Sequence, residues 1–212
     1  DTSKLENTPN VKKVHTPEDA HGGFLAKLRN NSAAEAIYDT LVFVDDDFLF
    51  PTQWGERLIE FSKNNPWKVL GNKILLPDGD RFWDRATMNP HRLVSYDHTA
   101  NDKRLYQTGG FWIIRKEVFD DHKWDPSIRI NAEKAGEINE DIEMSIRMHK
   151  NKILLSFDKQ NFVWHDDDSY SEYDVYTLKK SQISKILDIE EEFLYKDPTK
   201  EYTDYVEHLS NK

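Results

Sequence analysis

The chain of 212 residues contains no cysteine, which excludes disulfides, thiolate zinc sites and cysteine nucleophiles at once and leaves the redox compartment open. It has no run of about 18 apolar residues, so no transmembrane helix is encoded, and neither a signal peptide nor an internal repeat is visible. Cations are in short supply: 29 Lys and Arg against 39 Asp and Glu give a formal net charge of -10. Such a surface repels nucleic-acid backbones and anionic membranes at long range, so any polyphosphate ligand must be recruited by a local device. What the chain has in quantity is aromatic surface, with 6 Trp, 9 Tyr and 11 Phe to fill a core or line a site. At this length one main domain around one substantial core is expected.

Along the chain the elements alternate as in an α/β protein. After a polar start, in which only Val11 and Val14 suggest a short strand, Phe24, Leu25, Leu28 and Ala33 to Ile37 recur at helical spacing. Leu41 to Val44 is a short continuous apolar run, the kind buried on both faces of a parallel sheet. Pro51 precedes a helix with Trp54, Leu58, Ile59 and Phe61 on one side, and Lys68 to Leu76 has the pattern of the next strand. From Pro77 to Arg104 turn formers and scattered aromatics show no sustained period, and so long a connection is more often a binding loop or lid than filler. Gly109 and Gly110 open a strand from Phe111 to Ile114, Lys116 to Phe119 starts a short helix, and Glu140 to about Lys150 forms a longer one. Ile153 to Phe157 and Phe162 to His165 follow as strands. Residues 1–170 are thus expected to form the main domain and residues 171–212 a partly helical tail.

The stretch LVFVDDDFLF, Leu41 to Phe50, drives three like charges into an apolar strand. Carboxylates in such a place need pairing, hydrogen bonds or a cation. On a strand Asp45 and Asp47 share a face while Asp46 points the other way, and the carboxyl ends of parallel strands are where ligands bind. Two carboxylates there suit Mg²⁺ or Mn²⁺ holding a diphosphate; the bland alternative is a solvated acidic turn. Glu140 and Asp141 fall in the first turn of a helix with Asn139 as its cap, where the helix dipole favours acids. Either that is their whole role, or one is a general base that the dipole keeps ionised. His165 ends an apolar strand and opens a second acidic group, Asp166 to Asp168. A lone histidine is usually structural or merely exposed, but as a third ligand the imidazole would favour Mn²⁺ over Mg²⁺; the aspartates after it would bind Ca²⁺ or cap a turn.

The order of these segments is more specific than any one of them. A strand ending in DDD, then TGGFWIIRKEVF, then NEDIEMSIRMHKNK, then VWH, resembles the nucleotide-sugar glycosyltransferases of the GT-A fold, most of all their family 2. GGFLAKLRN, with Gly23, Arg29 and Asn30, is similar to the helix before the metal-motif strand in that family. The resemblance spans roughly Val11 to His165. It implies a Rossmann-like, mixed and mostly parallel sheet flanked by helices, and a sugar transfer from a nucleotide sugar, a UDP-sugar by expectation, to a glycan or other hydroxyl acceptor. The enzyme class would be a hexosyl- or N-acetylhexosaminyl-transferase of polysaccharide biosynthesis. Asp47 would hold the metal with Asp45 and His165, and Asp141, beside Glu140, would deprotonate the acceptor in an inverting displacement. Asp45, Asp46, Gly23, Arg29, Gly109 and Gly110 would serve the donor, and Trp83, Trp112 and Arg147 the acceptor side. Trp83, Phe82 and Trp112 are candidates to stack on a sugar ring, with core packing as the alternative for each.

Members of that family begin with an apolar strand, a helix and a second strand, and no such strand precedes Val11; the N-terminal β-α-β portion is therefore expected to be incomplete here, whether removed, supplied by a separate chain, or lacking in a divergent form. A cytoplasmic location, or membrane association through a partner, goes with the resemblance. A retaining GT-A enzyme shares the metal motif, and a non-catalytic carbohydrate- or cation-binding module would use the same acids and aromatics, so both stay open at this point.

Overall fold

The computed structural model describes residues 11–76, 79–88, 90–128 and 139–165; the Asp166 to Asp168 group and the helical tail expected over 171–212 lie outside them. Two short helices come first, α1 (Pro17–His21) and α2 (Leu25–Ala34), followed by β1 (Thr40–Val44), β2 (Phe48–Leu49), α3 (Trp54–Asn64) and β3 (Val69–Leu75). β4 (Arg85–Met88), β5 (His91–Leu93) and β6 (Leu105–Gln107) lead to β7 (Phe111–Arg115), α4 (Lys116–Asp121), α5 (Glu140–Lys150) and β8 (Leu155–His165). No strand forms at Val11 and Val14, and the helix expected from Phe24 to Ile37 stops at Ala34, leaving Ile37 and Tyr38 exposed.

Five strands form one mixed sheet in the order β1-β7-β3-β8-β2. The α/β class is as expected, but the pairing corrects the expectation of a mostly parallel sheet: β1-β7, β7-β3 and β8-β2 are antiparallel and only β3-β8 is parallel. The cause lies in β7, which enters the sheet from a hairpin-like layer rather than from a crossover helix and runs against both of its neighbours.

Side chains of β7 alternate between the two faces. Trp112 and Ile114 join Leu41, Phe43, Val69, Phe119, Trp124 and Met144 beneath α2, α4 and α5, whereas Phe111 and Ile113 join Leu70, Ile74 and Val163 beneath Trp54, Leu58 and Phe61 of α3. Both faces are covered, which is why FWIIR shows no polar alternation; burying each of its two isoleucines contributes roughly 1.5–3 kcal/mol. β8 is one strand, not the two expected. A register shift beyond Asn72 leaves residues 159–161 as a bulge, and Asp158 Oδ1 accepts the N–H groups of Gln160 (2.9 Å) and Asn161 (3.3 Å) within it.

The connection expected to lack structure between Pro77 and Arg104 instead contributes β4 and β5, which with β6 make a second sheet in the order β5-β4-β6. Its strands are short and carry buried Arg85, Thr87 and Gln107, so neither length nor alternation announces them. Ile142 and Ile146 of α5 pack on Ala86, Met88 and Tyr106 of this sheet. That contact fixes the start of α5 beside the end of β6.

Candidate active site

Gly109 and Gly110 join β6 to β7, and the acids singled out in the sequence are arranged around them. The Asp45 N–H donates to the Gly110 carbonyl at 3.0 Å, holding the end of β1 against the start of β7. A Cβ on Gly110 would stand 3.0 Å from the Phe48 ring and 3.2 Å from Asp45 Oδ2, and one on Gly109 would stand 3.3 Å from Glu140 Oε1. Close approach from both sides is what requires glycine here.

Arg29 of α2 spans the two sides. Its buried guanidinium donates to Glu140 Oε1 at 3.0 Å, to the Gly109 carbonyl at 2.8 Å and to Asp45 Oδ1 at 3.3 Å, and lies 5.0 Å over the Trp124 ring. One cation thus compensates two acids that come from distant parts of the sequence, which is the condition for burying any of the three. Gly23, in the left-handed region at φ 70°, makes the turn from α1 into the helix that carries this arginine. Asn30 is structural, donating from its amide to the Trp124 carbonyl at 2.8 Å and accepting the Trp124 N–H at 3.1 Å.

β1 ends at Val44, so strand alternation no longer governs the three aspartates, and each meets different surroundings. Asp45 turns to Arg29. Burial raises its carboxyl above the usual range, Arg29 draws it back down, and Asp47 and Glu140 add to the rise. Asp46 lies exposed in the turn. Asp47 places Oδ2 at 3.4 Å from His165 Nε2, while its Oδ1 is buried and finds no hydrogen-bond partner among the described residues. His165 pairs across the ladder with Phe48, stacks on Phe82 at 4.1 Å and meets the Phe48 ring edge-on at 5.0 Å.

Among the described residues no three His, Asp or Glu side chains gather as a complete metal cage. The Asp47 and His165 pair nevertheless offers carboxylate oxygen and imidazole nitrogen together, a donor set that fits Mn²⁺ or Mg²⁺. The orphaned Asp47 oxygen is the feature that a cation would satisfy.

Across the glycines, Glu140 and Asp141 are each 8% exposed. Asp141 Oδ1 accepts the Ile142 N–H at 2.7 Å, and the Gly109 N–H also bonds this carboxyl. Its pKa is nonetheless pushed up to about 7, first by burial and then by the neighbouring Glu140 charge, with the N–H groups and Arg29 offsetting only part. Burial and the Glu140 charge thus act against the helix dipole, which is expected to keep this carboxyl ionised. Asn139 occupies the cap position but makes no side-chain cap bond.

The acceptor-side assignments fare differently from one another. Trp112 is 0% exposed and edge-on to Trp124 at 5.1 Å, so it is core and has no face to offer a sugar. Phe82 is spent on His165. Arg147 is engaged by its own surroundings: it grips Glu143 through Nε at 2.8 Å and Nη2 at 2.6 Å and donates to the Lys123 carbonyl at 2.6 Å. Trp83 stays half-buried, stacked on His91 at 4.9 Å, and the Thr108 hydroxyl, next to Gly109, donates to its carbonyl at 2.7 Å.

Two supporting residues escaped sequence reasoning. Gln107 Nε2 donates to the Leu70 (3.2 Å) and Phe111 (2.8 Å) carbonyls, and the Ser145 hydroxyl accepts the Gln107 N–H at 3.2 Å while donating to the Asp141 carbonyl at 2.7 Å. Together they lock the glycine pair to α5. The only trace of this in the sequence is a polar residue closing the apolar run of β6.

A family model described as glycosyl transferase family 2 matches residues 3–123, more than half of the chain. No curated protein matches it.

Proposed function

The chain belongs to glycosyl transferase family 2, a GT-A glycosyltransferase that uses a nucleotide sugar and an acceptor, and from that premise we propose a cation-assisted, inverting transfer centred on Gly109 and Gly110. The observation that carries the proposal is the division of acids around the glycines: an unsatisfied carboxylate oxygen on Asp47 to one side, a carboxyl titrating near neutrality on Asp141 to the other.

In this reading Asp47 and His165 would hold Mn²⁺ or Mg²⁺. When bound, the metal supplies charge stabilisation to the departing diphosphate. Asp141 accepts the proton of the acceptor hydroxyl, and a pKa near 7 suits a base that must be ionised yet still basic. Arg29 positions both sides, keeping Asp45 and Glu140 fixed while the charges around them change. Trp83, at the rim beside Thr108, is the aromatic left to face the acceptor. An acidic chain then needs no basic patch to hold a nucleoside diphosphate, because the positive charge arrives with the ligand.

The test is thermal stability with UDP, GDP or CDP, each with and without Mn²⁺. A ligand at a hundred times its dissociation constant stabilises by about 2.7 kcal/mol, and the expected result is a rise in melting temperature that needs both the cation and one nucleotide and is lost in Asp47→Ala. A shift that ignores Mn²⁺, or survives Asp47→Ala, would refute the metal assignment. Anomeric NMR of the product checks stereochemistry, and retention would refute inversion.

A further inference from the structure

A cleft of about 950 Å³ opens between the second half of α3, the chain from Tyr96 to Ala100 and the bulged start of β8. It shares no residue with the site around the glycine pair. By strand register Phe157 sits opposite Gly71 and Trp164 opposite Leu75, so the cleft and His165 are separated by roughly 15 Å along the sheet.

Its charges sort unequally. The acids are occupied: Asp97 pairs with Lys159 at 2.5 Å, Glu60 with Lys63 at 3.0 Å, and Asp158 holds the N–H groups of its own bulge. Two arginines are not. Arg57 lies 5.7 Å over the Phe162 ring and makes no ion pair among the described residues. Arg85 is 3% exposed, lines the cleft, and sits 5.4 Å over the Phe157 ring. Among the described residues it donates only to the carbonyls of His98 and Leu155, each at 3.1 Å, and its Nε finds no acceptor. The acids that act on it from nearby are committed elsewhere, Asp84 to Arg81 at 2.5 Å and Asp102 to Arg104 at 2.8 Å. A buried guanidinium without a carboxylate is expensive unless something negative reaches it.

We propose that this cleft is a second ligand site, one that takes a small oxyanion, a phosphate or a carboxylate, with Arg57 and Arg85 as its charge partners. Both line the cleft, Arg57 from α3 and the buried Arg85 from β4. Asn64 and Gln160 add neutral polar groups at the rim, which suits an anion carried on a hydroxylated body such as an acidic sugar as well as free phosphate.

The test is an amide NMR titration of the full chain, without divalent cation, using inorganic phosphate, glucuronate and glucose. The expected result is movement of the amides from Tyr96 to His98 and from Ser156 to Gln160 with the two anions and not with glucose. Arg57→Gln should weaken binding about tenfold, the loss of one charge-assisted contact, and Asp47→Ala should leave it unchanged. Tighter binding of glucuronate would assign the site to an acidic sugar, and tighter binding of phosphate to the free ion. An equal response to glucose, changes confined to the surroundings of Asp47 and His165, or unaltered affinity in Arg57→Gln would overturn the proposal. Arg85→Gln probes the buried arginine, and should that variant fail to fold, Arg57→Gln decides alone.

Discussion

The two acids on either side of Gly109 and Gly110 stand in opposite environments. The Asp47 side chain is 37% exposed and faces an imidazole; Asp141 is buried at 8% and faces another carboxylate and two N–H groups. Part of the first carboxylate stays open to solution although its Oδ1 is buried, whereas burial beside a like charge makes the second reluctant to ionise. Two aspartates acquire different chemistry from their surroundings alone, and Arg29 is the residue that keeps those surroundings distinct.

Asp141→Asn strikes the proton-handling side and carries the largest expected effect. Transfer should fall by about 10²–10⁴-fold while Mn²⁺-dependent nucleotide binding persists; loss of binding with the chemistry intact would reverse the two roles. The pH dependence sharpens the same contrast. Folded Asp141 titrates near 7 and the unfolded residue near 3.8, so between these values the folded chain keeps a proton that the unfolded chain has lost, and stability falls as pH rises through that window. Turnover should climb over the upper part of the same range as Asp141 ionises; the Asn variant should lose that climb, and its stability should fall less steeply, the raised Asp45 and Asp84 still contributing.

Arg29→Met removes the tie between the sides. Leaving Glu140 buried without its cation should cost about 3–5 kcal/mol in unfolding free energy, measurable by urea denaturation, and a cost near zero would mean that the two sides hold themselves apart. Gly110→Ala is smaller. The added Cβ meets the packed Phe48 ring at 3.0 Å, and overpacking of this kind costs about 1–3 kcal/mol; a stabilised variant would show that the glycine is there for chain entropy and not for close approach.

How much of this could be read without coordinates depends on which signals are local. The apolar run before the aspartates, the helical spacing of Trp54, Leu58 and Phe61, and the acid pair opening α5 are patterns within one element, and all three stand where the sequence puts them. Strand direction is not local, which is why the antiparallel entry of β7 went unforeseen. Trp112 illustrates the same limit at one residue: in a strand buried on both faces no alternation tells which side chain meets the core and which meets a ligand. The rise in the Asp141 pKa escaped because it comes first from burial, which only the assembled fold produces, and then from Glu140, against the pull of the Gly109 and Ile142 N–H groups. The β4-β5 hairpin escaped because buried Arg85 and Thr87 erase the alternation that marks a strand.

β1 is the outermost strand of its sheet, and the Asp45 N–H points inward to Gly110. By the alternation of an antiparallel ladder the N–H groups of Leu41 and Phe43 point inward too, and those of Val42 and Val44 point out to a side on which no described strand pairs. In deuterated water this strand should label as a comb, Val42 and Val44 at rates near those of an open chain and Leu41, Phe43 and Asp45 far more slowly. The acidic triplet therefore hangs from a ribbon sewn down along one selvage only, and the stitch nearest the charges is the bond to Gly110.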